Sequence, residues 1–242
     1  MIERDIDIAT ADGAMNTFIT HPEEQGPHPL VIFYMDAPGK REELHDMARR
    51  LGTAGYYVML PNLYYRRVRE FKMGAGEEQR QIMREHMNSL DRGKILLDTA
   101  ALLNFAAQDA AASTTDVGVV GYCMSGPFVL WAAAEYPQQI KAAAAFHGVK
   151  MCTDDPQSPH RYADKIRAEV YIGVAETDAY APPEMITALD KHLKLTSLDY
   201  RIEWYPQTHH GFVFPLRQAM YHKPSAERHW ERLLQLFARR LS

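Results

Sequence analysis

The residue best placed to do chemistry is Cys123. It stands at the apex of Asp116-Val117-Gly118-Val119-Val120-Gly121-Tyr122-Cys123-Met124-Ser125-Gly126-Pro127, where a β-branched run ends in a turn of small residues and a helix-forming run, Phe128 to Tyr136, follows at once. A sharp strand-to-helix turn of this kind forces its apical residue into a strained backbone conformation and lifts that side chain clear of its neighbours. The residues two before and two after the apex pass close to other backbone, so they must be small; Gly121 and Ser125 meet that condition for Cys123. Ser125 is the rival nucleophile, but its flanks would be Cys123 and Pro127, which fit worse. Further on, Asp178 closes Glu176-Thr177-Asp178 after the apolar run Val170 to Val174, and His210 lies in Pro206-Gln207-Thr208-His209-His210-Gly211-Phe212 after Tyr200 to Tyr205. A thiol, a carboxylate and an imidazole are the parts of a nucleophilic triad. Cys123 would attack an acyl carbon, His210 would take the thiol proton and return it to the leaving group, and Asp178 would hold the imidazole tautomer. The Met124 amide, at a helix N-terminus, would be one oxyanion donor, and the Ala37 amide, on the loop after an early strand, the second.

Each residue also has a plainer reading. A cysteine between a strand and a helix can be a small buried hydrophobe, and Asp178 can cap the helix that begins at Pro182-Pro183. His209 reads as a neighbour of His210, Cys152 as a loop thiol, and Asp154 and Asp155 as loop residues that follow no strand directly. The adjacent pair His209-His210 does not aim two imidazoles at one ion as an i, i+4 pair would, and no cysteine spacing suggests zinc. No glycine-rich loop matches a phosphate or dinucleotide fingerprint. No metal and no cofactor is expected.

The elements that must position these groups follow from periodicity. Arg4 to Ile8 and Ala14 to Thr20 alternate polar and apolar residues around Asp12-Gly13, a hairpin suited to a sheet edge. Pro29 to Tyr34 and Tyr56 to Leu60 are continuous apolar runs, the pattern of strands buried on both faces. Between them, Leu44, Met47, Ala48 and Leu51 line one side of a helix over Arg41 to Ala54. Strand, helix, strand at this spacing is a parallel unit with a right-handed crossover. Leu63 to Gly76, with three arginines and no clear period, reads as a long loop bordering a site. Helices are expected over Glu77 to Asn88 and Arg92 to Gln108, a strand over Ala142 to Phe146, a polar excursion over His147 to Asp164, and a closing amphipathic helix over Pro224 to Leu241. The whole, residues 1–242, reads as a single α/β domain with a mostly parallel sheet, helices on both faces and an N-terminal antiparallel hairpin.

Composition narrows the function classes. Hydrophobic residues make up 46% and charged residues 24%, ordinary values for a globular protein, and the net charge of −4 argues against a general nucleic-acid surface. Arg239-Arg240 suits a helix C-terminus. Met1 to Thr20 shows no apolar core behind a basic start, so no secretory leader is expected, and no run approaches the roughly 20 residues of a membrane span. Two cysteines in a chain of 242 residues make no disulfide framework. A cytoplasmic enzyme with a small-molecule substrate, and neither nucleic acid nor membrane as partner, is the expectation.

Gly121-Tyr122-Cys123-Met124-Ser125-Gly126, Glu176-Thr177-Asp178 and His210-Gly211-Phe212, in this order, resemble the dienelactone hydrolase family, the cysteine branch of the α/β-hydrolases, in which nucleophile, acid and histidine follow one another along the chain. The resemblance covers most of the sequence. It implies a cofactor-free, mostly monomeric hydrolase acting on an enol-lactone or similar activated ester. Two positions depart from the family pattern: Ser125-Gly126 stands where the family has two glycines, and Asp36 stands where it has a glutamate that pairs with the resting cysteine. Asp36 either plays that part or caps the turn Asp36-Ala37-Pro38-Gly39. The family's carboxylate-binding arginines have no aligned motif; Arg80 and Arg217 lie in suitable regions only. Tyr34, Tyr64, Tyr65, Tyr122, Trp131 and Phe212 are candidates for an apolar pocket or for core. A thiolate leaves readily as well as attacking readily, so activated esters, lactones and thioesters suit it better than amides. The alternatives are a binding or thiol redox-sensing protein on the same scaffold, or an acyltransferase or peptidase using the same groups.

Overall fold

A computed structural model describes residues 1–242. The chain forms two compact units, Met1–Val117 and Gly118–Ser242.

The first unit opens with the expected hairpin, β1 (Ile2–Thr10) and β2 (Gly13–His21), antiparallel from Ile2 opposite His21 to Thr10 opposite Gly13. Gly13 turns the chain at φ 131°, open to glycine and strained for other residues. Strands β3 (His28–Tyr34) and β4 (Tyr57–Pro61) pair in parallel, β2 pairs antiparallel with β4, and the order is β1-β2-β4-β3. The continuous apolar runs become strands buried along almost their whole length, as both-face coverage requires. Helix α1 (Glu42–Thr53) lays Leu44, Met47, Ala48 and Leu51 on β2 and β4 and stops before Gly55, whose φ of 104° few other residues adopt. Pro61, expected to stop β4, is its last residue. Helices α2 (Glu77–Asn88) and α3 (Arg92–Ala106) follow, the latter capped by the Asp91 carboxylate accepting from Lys94 N.

No helix or strand interrupts the run from Asn62 to Gly76. Its arginines are engaged elsewhere: Arg66 forks onto buried Asp98 at 2.7 and 2.9 Å, Arg69 reaches Asp7 at 2.7 Å, and Arg67 donates to His86 Nδ1 at 3.1 Å. The run borders a cavity of about 980 Å³ with Pro38, Lys40, Arg41, Phe71 and Lys72 in its wall.

Strand β5 (Ala112–Tyr122) carries the chain into the second unit, where the order is β5-β6-β7-β8. Strands β6 (Ile140–Phe146), β7 (Glu169–Thr177) and β8 (Tyr200–His209) pair in parallel. The four alanines Ala142 to Ala145 keep β6 thin, and α4 (Gly126–Glu135) and α6 (Lys223–Arg240) both pack on it. On β7, a Cβ at Gly173 would meet the Phe146 ring at 2.5 Å, so glycine there makes room for that side chain. Helix α5 (Pro183–Leu193) starts where the proline pair placed it. Strand β8 runs four residues beyond the expected Tyr205. His210 therefore leaves directly from a strand end instead of from a separate loop.

Candidate active site

At the end of β5 the backbone reaches φ 57° at Cys123, then makes one 3₁₀ turn, Cys123–Ser125, that runs into α4. A cysteine in this left-handed region is strained, and the surroundings hold it there. The helix begins at Gly126, two residues before the expected start. A Cβ at Gly121 would lie 2.6 Å from Ser125 O and 2.8 Å from Val129 Cγ2, so the small residue two before the apex is a steric necessity. Ser125, two after it, is fully buried; its Oγ accepts from Tyr122 N at 2.7 Å and donates to Tyr122 O at 2.9 Å. That hydroxyl ties the two arms of the turn together. Below the elbow, the Tyr122 hydroxyl meets His229 Nε2 of α6 at 2.8 Å, in a wholly buried pair.

Asp178 lies just past β7. The choice between turn residue and histidine partner resolves by dividing its two oxygens: Oδ1 accepts from Tyr180 N at 2.8 Å and Ala181 N at 3.1 Å, while Oδ2 meets His210 Nδ1 at 2.7 Å. The backbone amides fix the carboxylate, and the carboxylate fixes the ring. With Nδ1–H directed to Asp178, Nε2 is the nitrogen left for the Cys123 thiol, to which His210 is also hydrogen-bonded. Burial alone would lower the pKa of this imidazole; the bonds to Asp178 and Cys123 outweigh it and push it up to about 9. Near neutrality His210 therefore carries its proton. Cys123, Asp178 and His210 are thus brought together by three strand ends of one unit.

The other expected residues fall as follows. Met124, the residue after Cys123, is buried in the middle of the 3₁₀ turn. Asp36 and Ala37 belong to the first unit. Asp36 is completely buried, and its carboxylate is gripped by Arg41, which also donates to Glu43 at 2.7 Å and to Gly39 O at 3.1 Å. The carbonyl of Ala37 accepts from Tyr64 at 2.8 Å. Arg80 pairs with Glu77 on an exposed face of α2 at 2.8 Å, and Arg217 lies over the Phe214 ring at 4.3 Å. Of the aromatic candidates, Tyr34, Tyr64, Tyr122 and Phe212 are fully buried and belong to the core. Asp155 accepts from Gln157 N in a loop turn, and His209 is exposed at the end of β8.

Two rings beside His210 belong to no motif of the sequence. Tyr180, 69% exposed, stands edge-to-face with it at 4.9 Å between centroids, and buried His147 does the same at 4.7 Å. His147 immediately follows β6 and so sits at the kind of strand end where the other groups were sought. The segment that it opens is polar and rich in turns, a pattern that reads as surface. Among all residues, no group of three or more His, Cys, Asp or Glu is arranged to hold a metal ion.

The dienelactone hydrolase family model matches residues 15–241. The chain belongs to that family. A Yersinia pestis protein named "putative carboxymethylenebutenolidase" is 29% identical over 230 residues, 91% of this chain and 82% of its own length. One of the same name from Synechocystis is 26% identical over 223 residues, 91% of this chain and 89% of its own. A crystal structure from Klebsiella pneumoniae, described as a "putative dienelactone hydrolase", superposes with a TM-score of 0.87 at 26% identity and covers 98% of both chains. The fold is accordingly that of the α/β-hydrolases, and the protein is a hydrolase. No helix is long and apolar enough to cross a membrane.

Proposed function

We propose that this hydrolase cleaves an activated ester or enol-lactone through Cys123, His210 and Asp178, by way of an acyl-thioester. The observation that carries the reading is the arrangement of His210, whose Nδ1 lies 2.7 Å from Asp178 while the thiol of Cys123 engages the ring's other face of hydrogen bonding and its pKa is pushed up to about 9. The His210 proton comes from the thiol, which leaves sulfur with the nucleophilic electron pair. In the first half-reaction Cys123 Sγ bonds to the acyl carbon, the carbon–oxygen bond breaks, and His210 Nε2 gives its proton to the departing oxygen. In a lactone that oxygen stays tethered to the acyl group. Water then attacks the thioester carbon, His210 takes the water proton, the carbon–sulfur bond breaks, and the acid leaves with Cys123 restored. Negative charge on the acyl oxygen in each half would be met by the Met124 amide at the head of the helix, with the Ala37 amide assigned as second donor on its sequence position. Asp36 as partner of the resting thiol belongs to the same proposal, and Arg41 is the residue it would have to share.

The ester and lactone preference is supported by the names of the relatives and by the chemistry of sulfur: the adduct of a thiolate with an amide expels the thiolate more readily than the unprotonated amine and so reverts. The family model runs across both compact units, which supports one functional domain over 1–242. Cytoplasmic residence and a monomeric state complete the reading on composition and family resemblance. The test is turnover of an aryl acetate and a lactone panel by the wild type and by Cys123→Ala, His210→Ala and Ser125→Ala. Loss in the first two is expected, with only a partial fall in the third, whose hydroxyl ties the elbow but does not react. Undiminished hydrolysis by Cys123→Ala overturns the assignment.

A further inference from the structure

We propose that His147 is a positioning residue of this site, a buried ring that holds the His210 imidazole where Asp178 and Cys123 can both reach it. The inference rests on the triad reading above and extends it to a residue that none of the sequence motifs includes.

The loop that carries His147 is built onto the elbow. His147 N donates to Gly173 O of β7 at 2.7 Å, and Val149 N donates to the carbonyl of Cys123 at 3.0 Å. Between them, Gly148 lies against Gly126, so close that a Cβ added at Gly126 would stand 2.7 Å from Gly148 Cα. The backbone at His147 takes φ 39°, an unfavourable value for a residue with a Cβ. The ring is thereby referred to the same backbone that presents the thiol. It is 1% exposed and touches His210 edge-to-face, with Phe214 at 5.7 Å, Phe212 at 5.9 Å and Tyr122 at 6.0 Å completing an aromatic surround.

Neither ring nitrogen of His147 has a hydrogen-bond partner. A buried polar group without a partner is unfavourable, and a phenyl ring would fill much of the same space without that penalty. The charged and titratable groups acting on it are His210, Arg217 and His229, all cationic when charged, and burial opposes its protonation first of all. It consequently stays neutral and does not repel the proton on His210.

The brace matters because, apart from its bonds to Asp178 and Cys123, the His210 ring is held by packing alone. Its backbone passes at once into Gly211, at φ 86°, and then into a stretch without helix or strand until α6. Once Cys123 is acylated, its sulfur no longer offers the same acceptor, so one of the two hydrogen bonds orienting the ring is weakened. Asp178 and ring packing then keep Nε2 aimed at the acyl carbon while water attacks. On the outer side Tyr180 is mostly solvated; His147 is the buried member of the pair.

The experiment compares wild type, His147→Ala, His147→Phe and Cys123→Ala on one aryl acetate, with the pH dependence of kcat/KM and a thermal melt for each folded variant. In His147→Ala, kcat should fall about tenfold to a hundredfold without a rise in KM, as expected when a reacting group is misaligned by a fraction of an ångström. Water admitted beside the ring should also relieve part of the burial that opposes protonation of His210 and move the alkaline midpoint up from about 9. His147→Phe should restore kcat to within about threefold and melt above wild type, since two unpartnered nitrogens are gone. Wild-type kcat and pH profile in His147→Ala, or equal impairment in His147→Phe and His147→Ala, overturns the proposal. If His147→Ala does not fold, His147→Leu takes its place with the same criteria, because it fills volume without a flat ring. Cys123→Ala separates the two levels: activity retained there breaks the triad reading itself, whereas an inactive Cys123→Ala beside an unaffected His147→Ala breaks only the role of His147.

Discussion

Two aspartates occupy equivalent places in the two units of this molecule and have been given opposite characters. Asp36 follows β3 and Asp178 follows β7; both are buried, and both meet a cationic partner. Asp36 faces Arg41, whose guanidinium keeps its proton at any working pH and which is shared with Glu43. Burial works against the charge on Arg41, and the two carboxylates more than compensate. That pair is a fixture. Asp178 faces His210, a base that can release and recover a proton within the range where enzymes work. Burial strengthens both pairs electrostatically, but only the second can change state during a reaction. What separates the two carboxylates is the proton affinity of the partner; both are buried and both follow a strand.

The comparison can be broken at either end. Asp178→Asn keeps the shape but reverses a hydrogen-bonding role, favouring the wrong His210 tautomer, and should lower kcat by about a thousandfold to ten-thousandfold. Steady-state hydrolysis checks this, and a variant within tenfold of wild type would place Asp178 with Asp36 among the fixtures. Arg41→Met leaves Asp36 and Glu43 buried without their cation and should destabilise the fold by about 3–5 kcal/mol, read from urea unfolding. A loss below about 1 kcal/mol would show that the pair is not the anchor its burial suggests.

The third expectation concerns the switchable pair alone. The folded pKa of His210, about 9, exceeds the ordinary 6.5, so its contribution to stability is complete below about 6.5 and is lost as pH rises towards 9. His147 is shifted the opposite way, well below 6.5, by burial first and by His210, Arg217 and His229 after it. Its contribution is present above about 6.5 and is lost as pH falls below that value. Stability measured by denaturant across pH 5 to 10 should therefore pass through a maximum, with an alkaline loss of a few kcal/mol at most. Asp178→Asn should flatten the alkaline side; Arg41→Met should leave its slope in place.

Much of this was legible from residue types. The apolar runs at Pro29–Tyr34 and Val170–Val174 announce buried strands because a strand covered on both faces has no polar positions to alternate. Gly121 and Ser125 announce the elbow because the turn tolerates nothing larger, and the structure supplies the reason in the contacts a Cβ at Gly121 would make. Other features depend on meetings across long stretches of chain, and no local pattern carries them. The Arg41 grip on Asp36 hides in an ordinary helix start. Arg66 on Asp98 hides in a loop that reads as a rim because arginines usually mark surfaces. The extension of β8 past Pro206 runs against the ordinary reading of proline as a strand terminator. His147 was invisible for a simpler reason: a histidine beginning a polar stretch looks solvated until the rings that bury it are known.

The positive φ at Cys123 places this turn in a backbone region that glycine enters freely and cysteine does not. The substitution that would most readily relax the elbow is therefore Cys123→Gly, which also deletes the thiol. Heat tolerance and reactivity pull in opposite directions at this one position. A population of variants selected only for surviving elevated temperature would drift toward losing that thiol, and a thermostabilised form of the protein has to be sought with turnover as part of the screen.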